Sequence, residues 1–125
     1  MADDFILRNA VIAEIAPDIA SDARSEDLGG RLVLPGFVDS HIHLDKSCIL
    51  DRCHIEHGTL QEAIGQVAAA KRDFTEEDVH ARASRTLEKA ILQGTTAMRT
   101  HVEVDARIGL ISFNAIRKLD RKSTR

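Results

Sequence analysis

Two periods of apolar residues run along this chain, and the switches between them mark its elements. Phe5-Ile6-Leu7 and Val11-Ile12-Ala13-Glu14-Ile15 are strand-like runs separated by a turn at Asn9, and Ala16-Pro17-Asp18 closes the second. They predict an antiparallel hairpin. A polar loop over Asp18 to Asp27 and a Gly29-Gly30 turn lead to a third predicted strand, Arg31-Leu32-Val33-Leu34, which runs into Pro35-Gly36. Three short strands with no covering helix bury little apolar area, so they need a partner from a longer chain or another subunit.

The next strand is read from Leu34 to Asp45. A pleat puts Phe37, Asp39, His41, His43 and Asp45 on one face and Val38, Ser40, Ile42 and Leu44 on the other. The period then breaks over a polar loop, Lys46 to Gly58, and changes to a helical one. Thr59-Leu60-Gln61-Glu62 is a capping box, and Leu60, Ile64, Val67 and Ala68 recur at helical spacing up to Arg72 or Asp73. Thr75-Glu76-Glu77-Asp78 starts a second helix, with an apolar stripe of Val79, Ala83, Leu87, Ala90 and Ile91 and a stop at Gly94. Thr96 to Val104 alternates as a strand again. Met98, Thr100, Val102 and Val104 share one face, and Ala97, Arg99, His101 and Glu103 the other. After Asp105 a third helix is expected, with Ile108, Leu110, Ile111, Phe113, Ile116 and Leu119 as its stripe and a basic, solvated end from Arg117 to Arg125.

Strand, helices, strand is a βαβ unit, and its crossover implies parallel, right-handed pairing. Val38, Ile42, Leu44, Met98, Val102 and Val104 are then expected to face the helices, and His41, His43, Arg99, His101 and Glu103 the opposite side. An open parallel sheet covers that opposite side with more helices, whereas a barrel interior accepts polar residues near its C-terminal mouth. The polar second face therefore favours a barrel.

Composition adds exclusions. A net charge of -3 offers no electrostatic case for nucleic acid or an anionic membrane. Met1-Ala2-Asp3-Asp4 lacks the basic and apolar regions of a signal peptide, and no apolar run approaches the roughly 20 residues of a membrane span. A cytoplasmic protein is expected, with Cys48 and Cys53 as reduced thiols rather than a disulfide. Their spacing matches no zinc ribbon. His54 and His57 are expected in a solvated loop, and His80 on a helix surface.

Two imidazoles two residues apart on a strand point the same way and can reach one metal ion, which makes His41 and His43 the candidate ligands. Each would need its second ring nitrogen held by a neighbour, and Asp39 and Asp45 both lie on the same face.

Leu34-Pro35-Gly36-Phe37-Val38-Asp39-Ser40-His41-Ile42-His43-Leu44-Asp45 resembles the first barrel strand of the amidohydrolase superfamily. Lys46, Gly58-Thr59-Leu60, Gly94-Thr95-Thr96 and Arg99-Thr100-His101-Val102-Glu103-Val104-Asp105 resemble its cytosine deaminase branch. The resemblance runs from about Phe5 to about Leu119. It implies an α/β fold, the N-terminal part of a (β/α)8 TIM-type barrel preceded by short strands of a small β-sandwich. Residues 1–35 would be the sandwich strands, and 36–125 the first two β/α units of a barrel that typically needs about 250 residues.

The resemblance also implies one divalent metal, zinc or iron, with His41 and His43 matching its first two ligands. The remaining ligands and the proton-transfer residues would come from later strands. Arg99 and His101 are candidates for lining the substrate pocket, although His101 would serve equally as a satisfied polar residue of a barrel. The implied activity is a metal-dependent deamination of a small heterocycle such as cytosine, with no nucleic-acid or membrane partner and room for an oligomer. The alternative is a catalytically inactive truncated product. Cytosine, triazines and creatinine-like rings fit this strand pattern equally.

Overall fold

The computed structural model describes residues 3–123, with side chains from Asp3 to Asp120. The chain divides into two compact units, one ending at Pro35 and the other beginning at Gly36.

The first unit holds β1 (Asp4–Arg8) and β2 (Val11–Ala16), paired antiparallel with Phe5 opposite Ile15 and Arg8 opposite Val11. Asn9 and Ala10 form the turn with φ of 52° and 61°. Two consecutive positive φ values suit a tight hairpin, because they twist in the same sense as the strands. The third strand expected at Arg31–Leu34 does not form. Arg31 instead folds back on Leu28, whose carbonyl accepts from both its backbone N–H (3.2 Å) and its Nε (2.7 Å). The apolar run that follows pairs with no strand among the described residues, so extended propensity alone does not make it a ladder.

The second unit contains β3 (Phe37–Ile42), α1 (Leu60–Ala70), α2 (Glu76–Leu92), β4 (Thr95–Thr100) and α3 (Ile111–Ser123). β3 and β4 pair in parallel, with Val38 beside Ala97, Asp39 beside Met98 and Ile42 beside Thr100. The expected βαβ unit is present.

Its caps follow the sequence. Thr59 Oγ1 accepts from Glu62 N–H, and Thr75 Oγ1 from Asp78 N–H. The Glu62 carboxylate reaches back over the preceding loop and accepts from the N–H groups of Glu56, His57 and Gly58. Gly94 (φ 91°) ends α2, as expected of a C′ glycine. Its carbonyl then accepts from Phe37 N–H at 2.8 Å, so the helix stop also seats the start of β3. Gly36 lies so close to β4 that a Cβ there would stand 2.2 Å from Thr96 Cγ2.

α2 packs against α3, against β4 and against a 3-10 turn at Leu44–Lys46. The core therefore gathers beyond the C-terminal end of β3. Leu44, Ile49, Ala70, Phe74, Val79, Ala83, Ala115, Ile116 and Leu119 are buried there, with Ile42, Met98 and Val102 packed against them.

Several expected core positions lie outside it. Val38 is 70% exposed, because the helices cover the ends of the strands nearest Leu44 and leave the start of β3 bare; Val104, past the end of β4, is exposed as well. Leu60 (78% exposed) and Ile64 carry the α1 stripe out to solvent, so only Val67 and Ala70 bring that helix to the core. Leu110 and Phe113 of the third stripe are exposed as well. Arg117 and Lys118 are exposed, as expected of the basic end; the side chains from Arg121 onward lie outside the described residues.

Arg82 ties the core to the end of β3. Its buried guanidinium donates through Nη1 to the backbone oxygens of Asp45 (3.0 Å) and Ser47 (2.8 Å), and lies 4.4 Å over the Phe74 ring. Asp78 anchors it from the same helix and takes Arg52 from the loop at 2.6 Å. Hydrogen bonds from Arg52 first, and then Arg82, hold the Asp78 carboxyl down to about 2. A carboxyl whose folded pKa is depressed adds stability above its unfolded pKa of about 4. That stability drains as pH falls through the folded value. Thermal melts of the wild-type chain should therefore lose Tm between about pH 4 and pH 2. In Asp78→Asn the part of that loss due to this residue should be absent; an unchanged slope would contradict the assignment.

Candidate active site

The parallel register brings three imidazoles together. His41 lies on β3 and His43 one residue past its end, and the His101 N–H donates to the Ile42 carbonyl at 2.7 Å. The ring centroids of His41 and His101 are 4.2 Å apart, and His43 is 5.5 Å from each. Leu44 N–H donates to Thr100 Oγ1 (3.1 Å), which secures the same strand ends. His41 N–H donates to Asp39 Oδ1 at 3.1 Å. The His101 ring is held below the usual histidine range, first by desolvation and then by the neighbouring His41, His43 and Arg99 charges. That lowering favours the neutral ring, in which one nitrogen is able to accept a proton or a ligand. Arg99 is exposed, on the same run of β4.

Glu103, expected beside the histidines, serves a different purpose. Its carboxylate takes Lys46 Nζ on one oxygen and Lys71 Nζ on the other, both at 2.6 Å. Lys71 also meets Asp105 at 2.6 Å. Burial works against the Lys71 charge, but Asp105 and Glu103 outweigh it and raise its pKa. Glu103 is correspondingly lowered, first by Lys46 and then by Lys71, and Asp105 falls to about 2, mainly through Lys71.

Lys71 gave no signal in the sequence, because it follows a helix and joins the site only through the fold. Asp45 also departs from the expected face. The chain leaves the pleat at His43 and turns at Leu44–Lys46, so Asp45 is swung inward to 1% exposure.

His54 and His57 are solvated beside Glu56, and Cys48 and Cys53 are free thiols. His80 is half-buried on α2, with Nδ1 3.4 Å from Ser84 Oγ.

The amidohydrolase family model matches residues 24–119. The chain belongs to the amidohydrolase family. It is 37% identical over 97 residues to an imidazolonepropionase of Streptomyces avermitilis, covering 74% of this chain and 23% of that protein. It is 30% identical over 116 residues to a pterin deaminase of Rhizobium rhizogenes, covering 90% of this chain and 26% of that one. Its fold matches a 5-methylcytosine deaminase from Klebsiella pneumoniae, solved with 5-fluorocytosine, at a TM-score of 0.76 and 29% identity. That match covers 97% of this chain and 30% of the other. The amidohydrolase chain thus spans about a quarter to a third of the proteins it resembles. It has the α/β architecture of the corresponding part of a cytosine deaminase.

Members of this family generally bind a metal ion. Two residues fit that use in kind, since neutral imidazoles suit zinc or iron. The Nδ1 of His43 is buried and has no partner among the described residues, as a nitrogen awaiting a ligand or an acceptor would be. The number falls short, because among the described residues no three His, Cys, Asp or Glu side chains are arranged to hold a metal. No helix among the described residues is long and apolar enough to cross a membrane.

Proposed function

We propose that these residues form the first two β/α units of a (β/α)8 barrel that deaminates a small heterocycle, cytosine or a relative, at a cyclic C–N bond. The observation that carries this is the juxtaposition of His41, His43 and His101 at the paired strand ends of an amidohydrolase chain. In that reading His41 and His43 are the first two ligands of one zinc or iron ion. When bound, such an ion supplies acidified water at neutral pH.

This chain's own residues bind and orient. Arg99 offers a fixed positive charge and planar donors to ring carbonyls. His101, whose neutral form is favoured by its lowered pKa, offers a lone pair or an N–H to the substrate edge. The Lys46–Glu103–Lys71–Asp105 chain of ion pairs ties down the run that follows His101.

The test is a chimera in which this chain replaces the equivalent segment of the Klebsiella 5-methylcytosine deaminase. Ammonia release from 5-methylcytosine that disappears in His41→Ala supports the reading. A folded, metal-loaded chimera without turnover overturns it. A second reading, a chain with no catalysis of its own, is favoured by the shortfall of ligands among the described residues. Ammonia release by these 125 residues alone would refute it.

A further inference from the structure

Among the described residues, three buried side-chain polar atoms have no hydrogen-bond partner: His43 Nδ1, Asp45 Oδ1 and Ser112 Oγ. A hydroxyl rotates to suit its surroundings, so Ser112 needs little explanation. The other two are harder to leave unexplained, because a polar atom taken out of water without a partner costs about 1–3 kcal/mol. They belong to residues two apart in the chain, where β3 gives way to the turn at Leu44–Lys46. One is a ring nitrogen that donates in one tautomer. The other is an oxygen that only accepts when the acid is ionised.

The surroundings fix Asp45 firmly. Its Oδ2 accepts from Glu103 N–H at 3.0 Å, and its backbone oxygen accepts from Arg82 Nη1 at 3.0 Å. Two residues earlier on each run, His43 and His101 lie side by side. The Asp45–Glu103 bond is therefore the next rung after the histidine pair. Asp39, the other acid on the histidine face, is only half-buried and accepts from His41 N–H through Oδ1, and neither of its oxygens is a buried orphan.

We propose that Asp45 is the positioning residue of this site: its Oδ2 holds the run beyond β4 at Glu103, and its Oδ1 accepts the Nδ1–H of His43, leaving Nε2 of that ring as the ligand nitrogen. That one bond would satisfy both orphan atoms. The proposal rests on the reading of His43 as a metal ligand. A carboxylate holding the far nitrogen of a ligand imidazole fixes its tautomer and raises its basicity, and its loss typically weakens metal binding by about 10- to 100-fold.

The test uses the 125-residue chain, with long-range 1H–15N spectra of its histidines and a titration with Zn2+ alone. In the wild type, His43 should be the Nδ1–H tautomer before metal is added, and Zn2+ should shift its Nε2. Asp45→Ala should lose the tautomer preference and bind Zn2+ at least about tenfold more weakly. Asp45→Asn keeps one acceptor oxygen for two donors, so it should fall between the two. It also carries the test if the alanine variant does not fold. An unchanged His43 tautomer and Zn2+ affinity in either folded variant overturns the proposal, as does an Nε2–H tautomer in the wild type. A wild-type chain that shows the Nδ1–H tautomer yet binds no Zn2+ refutes the metal reading while leaving Asp45 as the partner of His43.

Discussion

Zn2+ affinity should fall by about a hundredfold for each imidazole removed in His41→Ala and His43→Ala, and the double variant should show no specific binding. The magnitude follows from structural zinc sites, where four ligands share about 10–16 kcal/mol, or about 3 kcal/mol each. Only side chains that converge contribute on that scale, and His41 and His43 are held 5.5 Å apart between ring centroids at the paired strand ends. His54 and His57 supply the control, because their rings are solvated beside Glu56. Competition with a chromophoric chelator measures the affinities. An equal loss in His54→Ala or His57→Ala would mean that the chain binds zinc through surface imidazoles and not at the strand ends.

Phe74→Ala should cost about 3–5 kcal/mol, the usual range for truncating a buried aromatic. The ring is 4% exposed, sits in the main core cluster, and carries the Arg82 guanidinium 4.4 Å from its centroid. Its removal opens a cavity and also strips the apolar seat from a buried cation that holds the backbone oxygens of Asp45 and Ser47. Against a typical stability of about 5–15 kcal/mol this is a large fraction, equivalent to a Tm drop of well over about 10 °C for a unit of this size. Phe113→Ala is the contrast. That ring is exposed and its loss should stay within about 0.5 kcal/mol. Comparable losses for both would show that the core is not organised around Phe74.

The elements legible beforehand were those fixed by short-range rules. Thr59 and Thr75 cap helices because a hydroxyl three residues before an orphan N–H meets it whatever lies around. Gly94 stops α2 because only glycine takes a φ of 91° without strain. The hairpin of β1 and β2 follows from alternation and a turn residue.

What failed depended on partners. Arg31–Leu34 is as strand-like as β1, yet it has nothing to pair with among the described residues. Leu60 and Ile64 keep helical spacing, but spacing says which face is apolar and not whether another element covers it.

The candidate site divides the same way. The sequence alone determined the pair His41 and His43, their common direction along a strand, and the parallel partner that carries Arg99 and His101, because side-chain direction on a strand is a matter of counting residues. Only the tertiary structure decided that the His101 ring centroid lies 4.2 Å from that of His41, that Asp45 turns into the core, and that Lys71 joins Glu103 and Asp105. The physical reason is that the register between parallel strands is set by the packing of a crossover more than fifty residues long, and the exit of β3 from its pleat by the Arg82 contacts that bury it. Neither is a local property of the residues concerned.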